Sequence, residues 1–141
     1  NGPDEDELRK LIHEKKLEKQ VQLIGFRTDM NEILQTADVF AFPSIREGLG
    51  IAAIEALACG VPLIVADNRG TREYLHNDKN GLICDAFDRN AFVAAIDKVY
   101  SNVEYRKKLA DYCRESVIQF STEETVRTME RIYSTMDKRI S

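Results

Sequence analysis

The chain has 141 residues, with 20 Lys and Arg against 24 Asp and Glu, for a net charge of −4 at neutral pH. That length suits one domain, and 43% hydrophobic with 31% charged residues supports a packed core under a solvated surface, excluding disorder as the main state. A pI near 5.3 with interspersed charges argues against a nucleic-acid partner held through its phosphates. No apolar run reads as a membrane span or a leader, so the chain is expected to be soluble. Cys59, Cys84 and Cys113 are widely spaced and lack metal-type spacing, which predicts buried thiols in a reducing compartment.

Apolar periodicity alternates between short extended runs and longer helical stretches, the pattern of a layered α/β sheet. Residues 4–19 predict a surface helix: acids fill its first turn, bases its end, and Leu8, Leu11 and Ile12 its apolar face. Residues 21–24 predict a strand ending at Gly25. A loop and a helix carrying Met30, Ile33, Leu34 and Ala37 follow, with Asp29 and Glu32 at capping-box spacing. Residues 39–42 predict a second strand, stopped by Pro43. Residues 44–48 form a loop, and residues 49–59 a short buried helix that ends at Gly60 and Pro62, its alanines allowing close packing on the sheet.

A third strand over 62–66, a turn over 68–70 and a short helix over 71–75 come next. The turn chemistry of 77–81 leads into a fourth strand over 82–84. Asp88 is placed to cap a helix bearing Phe92, Ala95, Ile96 and Val99, with Phe87 and Phe92 spaced as a hydrophobic staple. Tyr105, Leu109, Tyr112 and Cys113 mark the next apolar face. Ser121 and Glu124 make a capping box before a stripe of Val126, Met129, Tyr133 and Met136.

In open parallel sheets, ligands bind outside the carboxyl ends of the strands. The loop after the second strand runs Pro43-Ser44-Ile45-Arg46-Glu47-Gly48-Leu49-Gly50-Ile51 straight into a helix. That arrangement presents unpaired amides carrying partial positive charge, suited to a phosphate or diphosphate, and glycine permits close approach. Glu47 and Glu55 bracket the turn, each able to accept two hydroxyl hydrogen bonds. Read without context, Glu55 is a solvated helix residue, Glu47 complements the helix dipole, and Arg46 pairs with Glu47. The apolar neighbours of Glu55 argue instead that this charge needs a partner.

Glu47, seven intervening residues, Glu55 and then Ala-Leu-Ala-Cys-Gly-Val-Pro, preceded by Ala-Asp-Val-Phe-Ala-Phe-Pro-Ser, resemble the C-terminal domain of retaining glycosyltransferases of family four. Val-Gln-Leu-Ile-Gly at 21–25, Arg72-Glu73-Tyr74-Leu75, Asn80-Gly81-Leu82 and Phe120-Ser121 extend the match over nearly the whole chain, with departures at Arg69 and Arg72. The resemblance implies residues 1–141 as the nucleotide-sugar-binding half of a GT-B fold: a Rossmann-like parallel α/β sheet with flanking helices. The first strand-helix-strand unit and the acceptor domain are expected to lie outside this chain.

By position, the resemblance implies that Glu55 holds the ribose and that Glu47 holds the donor sugar's hydroxyls as the catalytic carboxylate. Arg46 and the amides of Gly48, Leu49, Gly50 and Ile51 would face the sugar and diphosphate, and Gly25, Phe26 and Arg27 the base. The partners implied are a nucleotide-sugar donor, a glycan or lipid-linked acceptor and the remaining N-terminal domain. No metal or cofactor is expected, and Asp4-Glu5-Asp6 reads as acids complementing a helix dipole. The implied setting is cytoplasmic polysaccharide synthesis, associated with the inner membrane face in the full-length enzyme. Alone, the chain is expected to bind donor without turnover, and its sheet is expected either to re-pair internally or to have its exposed edge covered by a second copy. Two other classes share the architecture. A sugar-nucleotide epimerase would want acid/base residues that His13 and His76 do not suit, and a non-catalytic α/β module would want an acidic cluster at a strand end.

Overall fold

The computed structural model describes residues 2–140, with side chains to residue 135; Met136 of the last apolar stripe lies outside the described side chains. The chain forms two compact units, Asn1–Met30 and Asn31–Ser141.

In the first unit, helix α1 spans Glu5–Glu14, with Glu5, Asp6 and Glu7 in its first turn and no buried residue. It stops well short of residue 19. Lys16 turns left-handed at φ 56°, its N–H donates to the His13 carbonyl, and the Leu17 N–H donates to Ile12. This is a Schellman stop made without glycine, which is why the composition gives no sign of it. Residues 21–24 are not a strand. They have the apolar content of one, but a strand exists only where its N–H and C=O groups pair with a neighbour, and among the described residues no strand lies beside them.

From Met30 onward the chain forms α2 (Met30–Gln35), whose first residue ends the first unit, and then β1 (Phe40–Phe42), α3 (Ile51–Ala58), β2 (Leu63–Ala66), a 3-10 turn (Thr71–Glu73) and β3 (Gly81–Cys84) in the second. After these come α4 (Arg89–Ser101), α5 (Val103–Ser116), a second 3-10 turn (Ile118–Phe120) and α6 (Thr122–Ile140). The described sheet therefore has three strands rather than four. They are parallel in the order β1-β2-β3, with Phe40 opposite Leu63 and Leu63 opposite Gly81. Central β2 is buried along its whole length, as its continuous apolar run requires.

The period of two along β2 feeds two cores. Leu63 and Val65 pack with Ala53, Ala56 and Leu57 of α3 and with Cys113 of α5. Ile64 packs with Ala95 and Val99 of α4 and Leu109 of α5. Each of these β2 side chains is fully buried, a gain of about 1.5–3 kcal/mol apiece. The alanines of α3 that face the sheet let the helix lie close to it.

Asp88 caps α4, accepting from the Asn90 and Ala91 amides at 2.9 and 3.0 Å. Asn102 caps α5 through the Tyr105 amide at 2.9 Å. Ser121 accepts from the Glu124 amide at 3.3 Å, but the Glu124 carboxylate pairs with Arg127 at 2.7 Å instead of closing the box. The Asp29 carboxylate is likewise taken, by the Arg27 guanidinium. Phe87 is 82% exposed, so the staple with Phe92 does not form; Ile96 and the α6 residues Val126, Met129 and Tyr133 are also exposed rather than core. The three cysteines are free thiols, Cys84 and Cys113 buried and Cys59 half-buried. Among the described residues, no helix is long and apolar enough to cross a membrane.

Candidate functional site

The chain leaves β1 at Pro43, turns through residues 44–49 and enters α3 at Gly50, whose backbone is left-handed at φ 75°. Glycine is required there on two counts, because a Cβ would also sit 2.8 Å from the Tyr74 hydroxyl. Helix α3 has no acidic residue in its first turn and no side-chain cap. The Ala53 and Ile54 amides return to the Gly50 carbonyl, whereas those of Gly48 to Ala52 donate to no acceptor among the described residues. The positive end of the helix is thus left uncompensated, and an anion suits it.

The loop after β2 braces this turn. The Asn68 amide nitrogen donates to the Ser44 carbonyl at 2.8 Å, and the Ser44 hydroxyl donates to the Glu47 carboxylate at 2.5 Å. Asn68 is itself held, its side-chain oxygen accepting from the Thr71 amide at 3.1 Å while the buried Thr71 hydroxyl donates to the Ala66 carbonyl at 2.9 Å. Gly70 lies directly behind the turn, since a Cβ there would meet the Glu47 and Gly48 carbonyl oxygens at 2.8 and 3.0 Å. At the outer side, Arg72 grips Asp67 with two bonds of 2.7 and 2.9 Å, holding that carboxyl below the usual range.

Glu47 is half-buried, whereas Arg46, Gly48, Leu49 and Ile51 are exposed around the buried Gly50. The expected pairing of Arg46 with Glu47 is not made among the described residues; Ser44 takes its place. Glu55 is exposed too, which corrects the premise that its apolar neighbours enclose it. The buried face of α3 is Ala53, Ala56 and Leu57, and Glu55 projects with Ile51 and Ala52 from the other face. From Ile51 to Glu55 is about one helical turn, about 6 Å along the axis.

In the first unit, Gly25 is left-handed at φ 62° and Phe26 is 86% exposed. Arg27 is occupied by Asp29. Four residues of the second unit escaped sequence reasoning as site residues: Ser44, Asn68, Gly70 and Tyr74. An Asn three residues before a Thr, with Gly between, is a readable turn signal for Asn68. Tyr74 carries no local signal, yet it is fully buried and its hydroxyl lacks a partner among the described residues. Burial, and secondly the charge of Glu47, push its hydroxyl up to about 12.

Residues 1–116 match the family described as "Glycosyl transferases group 1". The chain is 40% identical over 110 residues to EpsD of Bacillus subtilis (strain 168), a glycosyltransferase by designation, covering 78% of this chain and 29% of that one. It is 29% identical over 121 residues to the UDP-Gal:alpha-D-GlcNAc-diphosphoundecaprenol alpha-1,3-galactosyltransferase of Escherichia coli, covering 85% and 31%. The chain thus spans about a third of the length of these relatives. Among solved structures, a point mutant of Staphylococcus aureus TarM in complex with fondaparinux, alpha-GlcNAc-glycerol and UDP superposes with a TM-score of 0.85 at 25% identity, covering 94% of this chain and 27% of that one. The C-terminal domain of the group 1 glycosyl transferase LpcC from Francisella tularensis gives 0.72 at 28% identity, covering 83% and 63%.

Proposed function

This chain belongs to the group 1 glycosyl transferases and has a GT-B-type α/β fold, and from that premise we propose that it is the donor-binding, C-terminal half of a retaining, family-four type enzyme. The observation that carries the reading is the open N-terminus of α3, flanked by a braced Glu47 and, one turn along the same helix, an exposed Glu55. The free amides from Gly48 to Ile51 take the diphosphate, and Glu55 takes the ribose diol. Arg46, exposed at the mouth of the turn, adds positive charge for the leaving diphosphate. Glu47 grips hydroxyls of the donor sugar and opposes the positive charge that the sugar ring develops as the diphosphate departs. The base is assigned separately to Gly25, Phe26 and Arg27, of which Phe26 offers an exposed ring for stacking.

The likeness to a protein solved with UDP and to one named for a UDP-sugar and a diphosphoundecaprenol acceptor supports a nucleotide-sugar donor and a glycan or lipid-linked acceptor. The setting proposed is polysaccharide synthesis, with the full-length enzyme at the inner face of the membrane. The mechanism assigns no metal or cofactor.

The test is calorimetric binding of UDP, GDP and ADP and of their glucose and N-acetylglucosamine conjugates, with turnover measured alongside. One nucleoside diphosphate is expected to bind selectively, and Glu55→Ala to weaken it roughly tenfold, the worth of a charge-assisted hydrogen bond. Unchanged affinity in a folded Glu55→Ala protein would remove the assignment. In the full-length protein carrying this chain, Glu47→Gln is expected to spare the diphosphate while losing transfer. The 141-residue chain by itself is expected to bind without multiple turnover.

A further inference from the structure

We propose that Tyr74 is a positioning residue for the donor sugar: with nucleotide-sugar bound, its buried hydroxyl donates to the Glu47 carboxylate and, with Ser44, fixes the oxygen that faces the sugar. The inference rests on the reading of Glu47 above. Tyr74 sits in the core shared by Phe42, Leu57 and Val65, its ring edge-on to Phe120 at 6.5 Å between centroids. Its hydroxyl reaches the point where the turn enters α3, within 2.8 Å of the Cβ position at Gly50. Among the described residues it is a buried side-chain polar atom with no partner.

A core position chosen for packing alone takes phenylalanine, because a buried unpaired hydroxyl costs stability. Such a group is accounted for if it pairs in another state of the molecule. The neighbouring acceptors narrow the choice. The Gly50 carbonyl is already occupied by two helix amides, whereas the Glu47 carboxylate, three residues earlier in the same turn, holds only the Ser44 bond among the described residues. With its ionisation pushed up to about 12, the hydroxyl keeps its proton at neutral pH and remains a donor. The adjustment is one of side-chain torsion at Glu47, since Asn68 and Gly70 brace the main chain of the turn while the half-buried carboxylate can still rotate.

The experiment compares wild type and Tyr74→Phe in the full-length protein carrying this chain. The readouts are melting temperature without ligand and the Kd values of the tightest nucleotide-sugar from the panel and of its parent nucleoside diphosphate. Tyr74→Phe is expected to melt no lower than wild type, to bind the nucleoside diphosphate within twofold, and to bind the nucleotide-sugar roughly tenfold more weakly. In Glu47→Gln the same change is expected to cost less, because the two side chains act as one unit. A lower melting temperature would show that the hydroxyl is already paired in the free protein and would overturn the proposal. So would unchanged nucleotide-sugar affinity, or equal weakening of both ligands. If wild type binds no nucleotide-sugar, this inference and the donor reading fall together. If binding depends on Glu55 but is indifferent to Tyr74→Phe, this inference falls alone.

Discussion

Glu55 and Tyr74 show how composition misleads at the scale of single residues. Glu55 stands in an apolar run, yet only one face of an eight-residue helix touches the sheet, so Ile51, Ala52 and Glu55 all meet solvent. Tyr74 follows Arg72 and Glu73, both exposed, and is itself fully enclosed. Its burial makes a pH prediction. Below pH 10 the tyrosine is neutral in both folded and unfolded chains, and its contribution to stability is fully present. Between 10 and about 12 only the unfolded chain ionises there, so stability falls as pH rises. By pH 11.5, wild type is expected to have lost about 2 kcal/mol more than Tyr74→Phe, each measured by urea denaturation against its own value at pH 9. Matching losses in the two proteins would show that the phenol is not held neutral by the fold.

At the scale of elements, the parts that follow from local chemistry were legible. Pro43 ends β1, the Gly60–Pro62 pair ends α3, and Asp88 and Ser121 open helices where their spacing places them. The end of α1 was not, because a left-handed lysine does there what glycine usually signals. The site depends on a contact between two loops, 43–50 and 67–73, that touch through Asn68, Ser44 and Gly70. No periodicity reports such a contact, since both partners are irregular backbone. Gly70→Ala tests it: the new Cβ meets two carbonyl oxygens that belong to main chain and cannot rotate aside. A stability loss of about 1–3 kcal/mol is expected, together with weaker nucleotide-sugar binding as Glu47 is displaced. Wild-type affinity in this variant would mean that the brace does not set the carboxylate.

At the scale of the whole molecule, β1 and β3 are the two outer strands of the described sheet, and the free edge of β1 has no neighbouring strand among the described residues. Unpaired N–H and C=O groups along an edge invite another strand, so light scattering on the 141-residue chain is expected to show a species of about twice 16.1 kDa. A monomer at every concentration would discard pairing between copies. The order of helices and strands from β1 onward, the caps at Asp88 and Ser121 and the glycine-bounded turn between β1 and α3 were determined by the amino-acid sequence, because each follows from spacing or backbone chemistry within a few residues. Which face of α3 meets solvent, that residues 21–24 stay unpaired, and that Asn68, Gly70 and Tyr74 gather behind Glu47 were decided only in three dimensions. Those outcomes depend on which distant atoms fill the space beside a side chain or an amide, and separation along the chain carries no record of that.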